Sequence, residues 1–146
     1  MPAATIIVLT AIVLMTLLLP LGVMLALRRR GGTWTAFLTG AGTFVLFAMV
    51  LEPILHNLIL RSPAGAAIRQ NILLYALYGG LAAGLFEETG RLLAFRFILK
   101  PHTARITALS YGIGHGGIEA FLVMGLSMIA NLSLGLAYTS GAPLPA

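Results

Sequence analysis

Four long apolar stretches occupy most of this chain and restrict it to a membrane-embedded helical fold. They cover residues 5–27, 34–60, 72–98 and 106–138 of a 146-residue sequence. A helix needs about 20 mostly apolar residues to cross the hydrocarbon core, so each stretch is long enough to span a bilayer. The last exceeds one span and should tilt, break at a glycine or continue along the membrane surface. The sequence predicts an all-α, polytopic membrane bundle of about four transmembrane helices, in one domain covering residues 1–146.

The composition agrees with this fold class. Hydrophobic residues make up 59% of the chain and charged residues 9%, whereas soluble domains carry about 25% charged residues. The net charge of +5 would suggest a nucleic-acid partner in a soluble protein. Here the basic residues lie mostly at the ends of the apolar stretches, so we predict the lipid bilayer, and no nucleic acid, as partner. The chain has no cysteine, which excludes disulfides and thiolate metal sites.

The basic residues also predict an orientation in the membrane. If the spans alternate, two basic residues, Arg61 and Arg69, lie on one side. Six lie on the other: Arg28, Arg29, Arg30, Arg96, Lys100 and Arg105. Loops rich in Lys and Arg stay cytoplasmic, so we predict a multi-pass cell-membrane protein with both termini outside.

The first stretch has its charges after the apolar run, which favours a retained span over a signal peptide. Residues 62–65 are predicted to form a simple turn.

All four acidic residues are glutamates, and all lie inside apolar stretches. An ionised group at the centre of a membrane costs about 2.5 kcal/mol or more, and such groups usually mark a functional site. Glu87 and Glu88 lie three or four residues before Arg91, so Arg91 can pair with either carboxylate on one helix face. One stretch later, His115 lies among glycines and four residues before Glu119.

Equal depth in the membrane connects these two polar runs. Glu87 precedes Arg96 by nine residues and His115 follows Arg105 by ten, which puts both about 14 Å below the same edge. We therefore predict that the third and fourth spans form a hairpin around Pro101 and that Glu87 and His115 approach within about 8 Å of each other. With water between them, a Glu and a His can perform general-base catalysis. The predicted catalytic residues are Glu87 and His115, with Glu88 and Arg91 as electrostatic support.

Four further residues are predicted to support this site: Glu119, Tyr111, His56 and Glu52. Glu119 can orient the imidazole of His115 or act as a second oxygen ligand. Glu52 and His56 lie four residues apart, but nearer the outer face, which favours a structural or substrate-entry role. If a metal is bound, Glu87, His115 and Glu119 are its candidate ligands.

Non-catalytic explanations fit the same residues. The Glu–Arg pair can be an internal salt bridge between spans, and the glycines can serve close helix packing. The chain would then be a membrane scaffold or a chaperone-like subunit. A proton-coupled transporter is less favoured, because the four spans show no internal repeat.

The run Glu87-Glu88-Thr89-Gly90-Arg91, followed by Gly114-His115-Gly116-Gly117-Ile118-Glu119-Ala120, resembles the YhfC family of intramembrane metalloproteases. That family is more distantly similar to the CAAX prenyl-protease and bacteriocin-processing superfamily. The resemblance implies hydrolysis of a membrane-associated peptide or protein substrate, with Glu87 as the water-activating residue. Tyr111 and His115 match the aromatic-x-x-x-His motif of the superfamily.

The resemblance also implies a zinc cofactor, although catalytic zinc usually has three protein ligands. The wider superfamily has a later motif, a His followed four residues on by Asn or Asp, and no His follows His115 here. Members of the family are longer and have more spans. The resemblance therefore leaves open missing C-terminal helices, a shortened variant, or a homo-oligomer that completes the site.

Overall fold

The computed structural model describes residues 2–102 and 104–140, and over these residues it is a bundle of helices without strands. In chain order the helices are α1 (Ala3–Arg28), α2 (Trp34–Leu60), α3 (Pro63–Gln70), α4 (Ile72–Leu93) and α5 (Arg105–Ser140). Wider π-helical turns occur within α2 (Val45–Leu51), within α5 (Ala120–Gly125) and directly after α4 (Ala94–Ile98). This architecture confirms the predicted all-α membrane bundle.

Polar caps determine where three of the helices begin. The side chains of Thr33, Ser62 and Asn71 each accept a hydrogen bond from a backbone N–H in the first turn of the helix that follows. Such caps satisfy N–H groups that have no partner inside the helix. Pro63, at the first helical position of α3, adds a preset φ. The predicted simple turn at residues 62–65 is therefore wrong, because Ser62 and Pro63 start a short helix there.

Three helices in the described part of the chain are long and apolar enough to cross a membrane: α1, α2 and α5. The helix α4 is not among them, and it carries Glu87, Glu88 and Arg91. The helix α5 is continuous over 36 residues, so of the three alternatives predicted for this stretch, the break at a glycine does not occur. Many large apolar side chains on these helices are exposed, as expected for a lipid-facing surface.

Glycines bring α2 and α5 into close contact. A Cβ atom on Gly40 would collide with the carbonyl oxygen of Tyr111, and one on Gly114 would collide with that of Phe37. Three residues later on α5, a Cβ on Gly117 would lie 2.6 Å from Cβ of Pro20 in α1. Small residues at such crossings allow backbones to touch, which is how membrane helices gain packing energy.

The helix α4 packs against α2 at a separate position. A Cβ on Gly90 would lie 2.7 Å from Cγ2 of Thr43 and 2.8 Å from the ring of Phe47. The helix α2 thus contacts both α4 and α5. The predicted hairpin of α4 and α5 around Pro101 has few backbone contacts between its two helices: α4 packs mainly on α2, whereas α5 packs on both α1 and α2. The side chains of α4 and α5 still meet beside α2.

A small buried core joins the end of α4 to the beginning of α5. Ala36, Ala94, Leu99 and Tyr111 are buried together, and Phe95 packs against them. The rings of Phe95 and Tyr111 have centroids 5.0 Å apart. Because His115 is one helical turn after Tyr111, this core also determines the position of its imidazole.

Candidate active site

The imidazole of His115 is held inside the bundle by two aromatic rings. Phe44 of α2 makes an edge contact with it at a centroid distance of 5.3 Å and an angle of 81°. Tyr111, one turn earlier on α5, stacks on it at 5.9 Å and 30°. The His115 side chain is 14% exposed. The two aromatic contacts therefore restrict the plane of the imidazole ring.

The carboxylate of Glu87 reaches this imidazole from α4. Its Oε2 atom lies 3.8 Å from Nε2 of His115, and the Glu87 side chain is 34% exposed. The predicted approach of the two side chains to within about 8 Å is confirmed. At 3.8 Å the contact is too long for a hydrogen bond, but the two groups are close enough to act on one reacting molecule.

Three polar atoms around this contact are buried and have no hydrogen-bond partner among the described residues. They are Nδ1 and Nε2 of His115 and the hydroxyl oxygen of Tyr111. Buried polar groups in proteins are nearly always hydrogen-bonded, and exceptions often mark catalytic sites. The hydrogen-bonding capacity of these atoms is thus unused within the described structure.

Glu88 and Arg91 form a separate ion pair on the outer face of α4. The distance between Oε1 of Glu88 and Nη2 of Arg91 is 3.0 Å, and the side chains are 66% and 50% exposed, respectively. Of the two pairings that the spacing allows, the structure has Arg91 with Glu88. The pair is neutral overall, and Glu87 is left to face His115.

Glu119 is not brought together with Glu87 and His115. Its side chain is exposed, whereas the ring of His115 is turned inward between Phe44 and Tyr111. In the part of the chain that the structure describes, no group of three His, Asp or Glu side chains could hold a metal ion. The predicted set of three metal ligands is therefore not assembled.

Glu52 and His56 form a second polar cluster with Tyr78, a residue that the sequence analysis missed. Nε2 of His56 lies 3.1 Å from Oε1 of Glu52, and Nδ1 lies 2.9 Å from the Tyr78 hydroxyl. Tyr78 precedes Glu87 by nine residues on α4, so the clusters are separated by about 14 Å along that helix. Equal depth in the membrane on α2 and α4 is the sequence signal that predicts this contact.

Comparison with known proteins places the chain in a family. Residues 15–144 match the model of a family described as YhfC intramembrane metalloprotease. The chain belongs to the YhfC family. It is 40% identical over 126 residues to a Bacillus subtilis (strain 168) protein named "Uncharacterized membrane protein YhfC". That alignment covers 85% of this chain and 49% of the Bacillus protein, so the chain spans about half the length of the curated relative it matches. No solved structure matches the chain significantly.

The description of the YhfC family implies a bound metal, and the described residues fit such a site only in part. The carboxylate of Glu87 and the imidazole of His115 converge, and both imidazole nitrogens lack a partner. A catalytic zinc usually has three protein ligands, and a third does not join them among the described residues. These residues therefore do not complete a zinc site, and the chemistry that they support by themselves is proton transfer. The more distant similarity to the CAAX prenyl-protease superfamily stays a prediction.

Proposed function

We propose that this YhfC-family chain carries the active site of an intramembrane peptidase that hydrolyses a membrane-associated peptide or protein. The supporting observation is the convergence of the Glu87 carboxylate on an imidazole whose two nitrogens have no partner in the described structure. An acid–base pair at membrane depth is costly to maintain. Packing alone would favour a short hydrogen bond between the two groups over a separation of 3.8 Å.

In the proposed reaction Glu87 is the general base. It takes a proton from a water molecule, and the resulting hydroxide attacks the carbonyl carbon of the scissile peptide bond. His115 donates a hydrogen bond to the oxygen that becomes negatively charged. Glu87 then passes the proton to the leaving nitrogen as the C–N bond breaks, which balances the hydrolysis. Positioned acid–base groups of this kind contribute about 10²–10⁴-fold to the rate.

The other polar residues have supporting roles in this proposal. The exposed Glu88–Arg91 pair keeps α4 close to electrical neutrality, and the ring of Tyr111 holds the His115 ring in place.

Replacement of Glu87 by Gln tests the proposal, because the amide fills the same space and cannot take a proton. We expect Glu87→Gln to reduce cleavage by at least about 100-fold while the folded yield in detergent stays close to that of the parent. Since the substrate is unidentified, cleavage is measured as new N-termini of membrane proteins, in cells that express the parent chain or the variant.

Glu119→Gln provides the matched control, because it makes the same chemical change at an exposed position of α5. We expect it to produce the same new N-termini as the parent. If Glu87→Gln is well folded and also produces the parental N-termini, the peptidase proposal is refuted. Loss of folded protein in Glu87→Gln would instead favour the alternative of a non-catalytic scaffold that uses the polar core for packing.

A further inference from the structure

A cavity of about 320 Å³ lies at the end of α2, beside α3. Two of its lining residues are arginines, Arg61 directly after α2 and Arg69 in the last turn of α3. The remaining lining residues are Pro53, His56, Asn57 and Leu60 of α2. The cavity thus combines two guanidinium groups with a wall formed by one face of a helix.

The fold of the connection brings the two arginines to the same cavity. Ser62 caps α3 by accepting a hydrogen bond from the backbone N–H of Gly65 at 3.3 Å. A Cβ atom on Gly65 would collide with the carbonyl oxygen of Ile59, so α3 folds back against the end of α2. Arg69 therefore faces the same cavity as Arg61, although the two arginines are eight positions apart in sequence.

The charge in this cavity is positive, and the structure leaves it unneutralised among the described residues. Both arginine side chains are exposed, and neither has a carboxylate within ion-pair distance in the described part of the chain. The carboxylate of Glu52 is bonded to His56 at 3.1 Å, and the other nitrogen of His56 is bonded to Tyr78. The Asn57 amide donates to the carbonyl oxygen of Pro53 at 2.9 Å. The two guanidinium groups are thus the charged donors left for a ligand.

We propose that this cavity binds a phosphate group through Arg61 and Arg69. Guanidinium groups form paired hydrogen bonds with phosphate oxygens, which a single ammonium group cannot do. The cavity lies at the end of an apolar helix long enough to span the bilayer, which is the level of the lipid headgroups. The phosphate can belong to an anionic phospholipid or be free in solution. This site does not depend on the proposed peptidase function, which uses groups elsewhere on α4 and α5.

The experiment measures binding to the purified, delipidated chain in detergent by native mass spectrometry. The ligands are phosphatidylglycerol, phosphatidylcholine and inorganic phosphate, each titrated separately. We expect phosphatidylglycerol to bind at least about fivefold more tightly than the zwitterionic lipid, since each basic residue near an anionic headgroup contributes about this factor. Inorganic phosphate that binds and displaces phosphatidylglycerol would support the same site with free phosphate as a ligand.

Charge variants locate the site. Arg61→Gln and Arg69→Gln should each weaken phosphatidylglycerol binding about fivefold. Arg96→Gln should leave it unchanged, because that exposed arginine follows α4 and does not line the cavity. Equal losses in all three variants would overturn the proposal in favour of general charge attraction, and so would binding that none of them weakens.

A variant that keeps every charge tests the geometry. Gly65→Ala retains both arginines but forces α3 away from the end of α2, so a folded Gly65→Ala protein should lose binding as strongly as Arg69→Gln does. Parental binding in folded Gly65→Ala would contradict a cavity formed by both arginines. If this variant does not fold, the three charge variants still decide the question.

Discussion

Tyr111 holds the candidate site together with its ring, while its hydroxyl group has no partner. The side chain is 4% exposed, its ring contacts Phe95 and His115, and its hydroxyl is unbonded within the described structure. We therefore expect Tyr111→Phe to leave the free energy of unfolding within about 0.5 kcal/mol of the parent or to raise it, because the unsatisfied hydroxyl contributes no bond. Tyr111→Ala should lower it by about 3–5 kcal/mol through loss of aromatic packing.

Unfolding by SDS from mixed micelles gives these free energies. Tyr138→Phe is the control, since Tyr138 is 77% exposed and should show no effect. A loss of more than about 1 kcal/mol in Tyr111→Phe would mean that the hydroxyl forms a hydrogen bond in the native protein.

At the residue scale, a contact could be predicted from the sequence where two residues lie at the same depth in the membrane. Glu87 and His115 meet because residues at equal distances from one membrane edge can face each other. Depth cannot choose between neighbours on one face, so the sequence left Arg91 free to pair with either glutamate. Spacing does not predict side-chain rotamers either. His115 and Glu119 are four residues apart, yet the ring of His115 is turned inward and the side chain of Glu119 is exposed.

At the scale of helices, the glycines of α5 fall into two groups that the sequence could not separate. Gly114 touches the backbone of α2, whereas a Cβ on Gly112 or Gly116 would meet no atom within 4 Å. From the sequence, close packing was one explanation for the whole run, since small residues favour helix contacts. Which glycines make the contact depends on how the helices cross, and that crossing comes from the packing of α2 against α5.

This difference gives a matched pair of variants. Gly114→Ala should abolish or strongly reduce folded protein, because the new methyl group would collide with the carbonyl oxygen of Phe37 and separate the helices that hold His115. Gly116→Ala should fold like the parent or slightly better, by up to about 1 kcal/mol from helix propensity. Folded yield and SDS unfolding measure both effects. If Gly114→Ala is as stable as Gly116→Ala, the glycine contact does not hold α2 and α5 together.

Over the whole molecule, α4 is the helix whose predicted crossing of the membrane needs a specific physical explanation. It carries both charges of the Glu88–Arg91 pair and the carboxylate of Glu87, and it is not among the described helices that qualify as spans by length and composition. A paired Glu and Arg, however, are neutral together, and Glu87 is directed toward His115 rather than lipid. The 27 residues from 72 to 98 extend about 40 Å as helix, which is enough to cross the hydrocarbon core.

We therefore expect the connections on either side of α4 to lie on opposite sides of the membrane, with the Lys100 connection cytoplasmic because of its basic residues. The chain has no cysteine, so single cysteines can be introduced at two exposed positions, Ala64 and His102, and labelled with a membrane-impermeant maleimide. Ala64→Cys should react in intact cells, and His102→Cys only after permeabilisation. Reaction of both in intact cells would mean that α4 enters and leaves on one side. The Glu87–His115 contact would then lie beside a re-entrant helix, accessible to water from that side, and the four-span topology would be wrong.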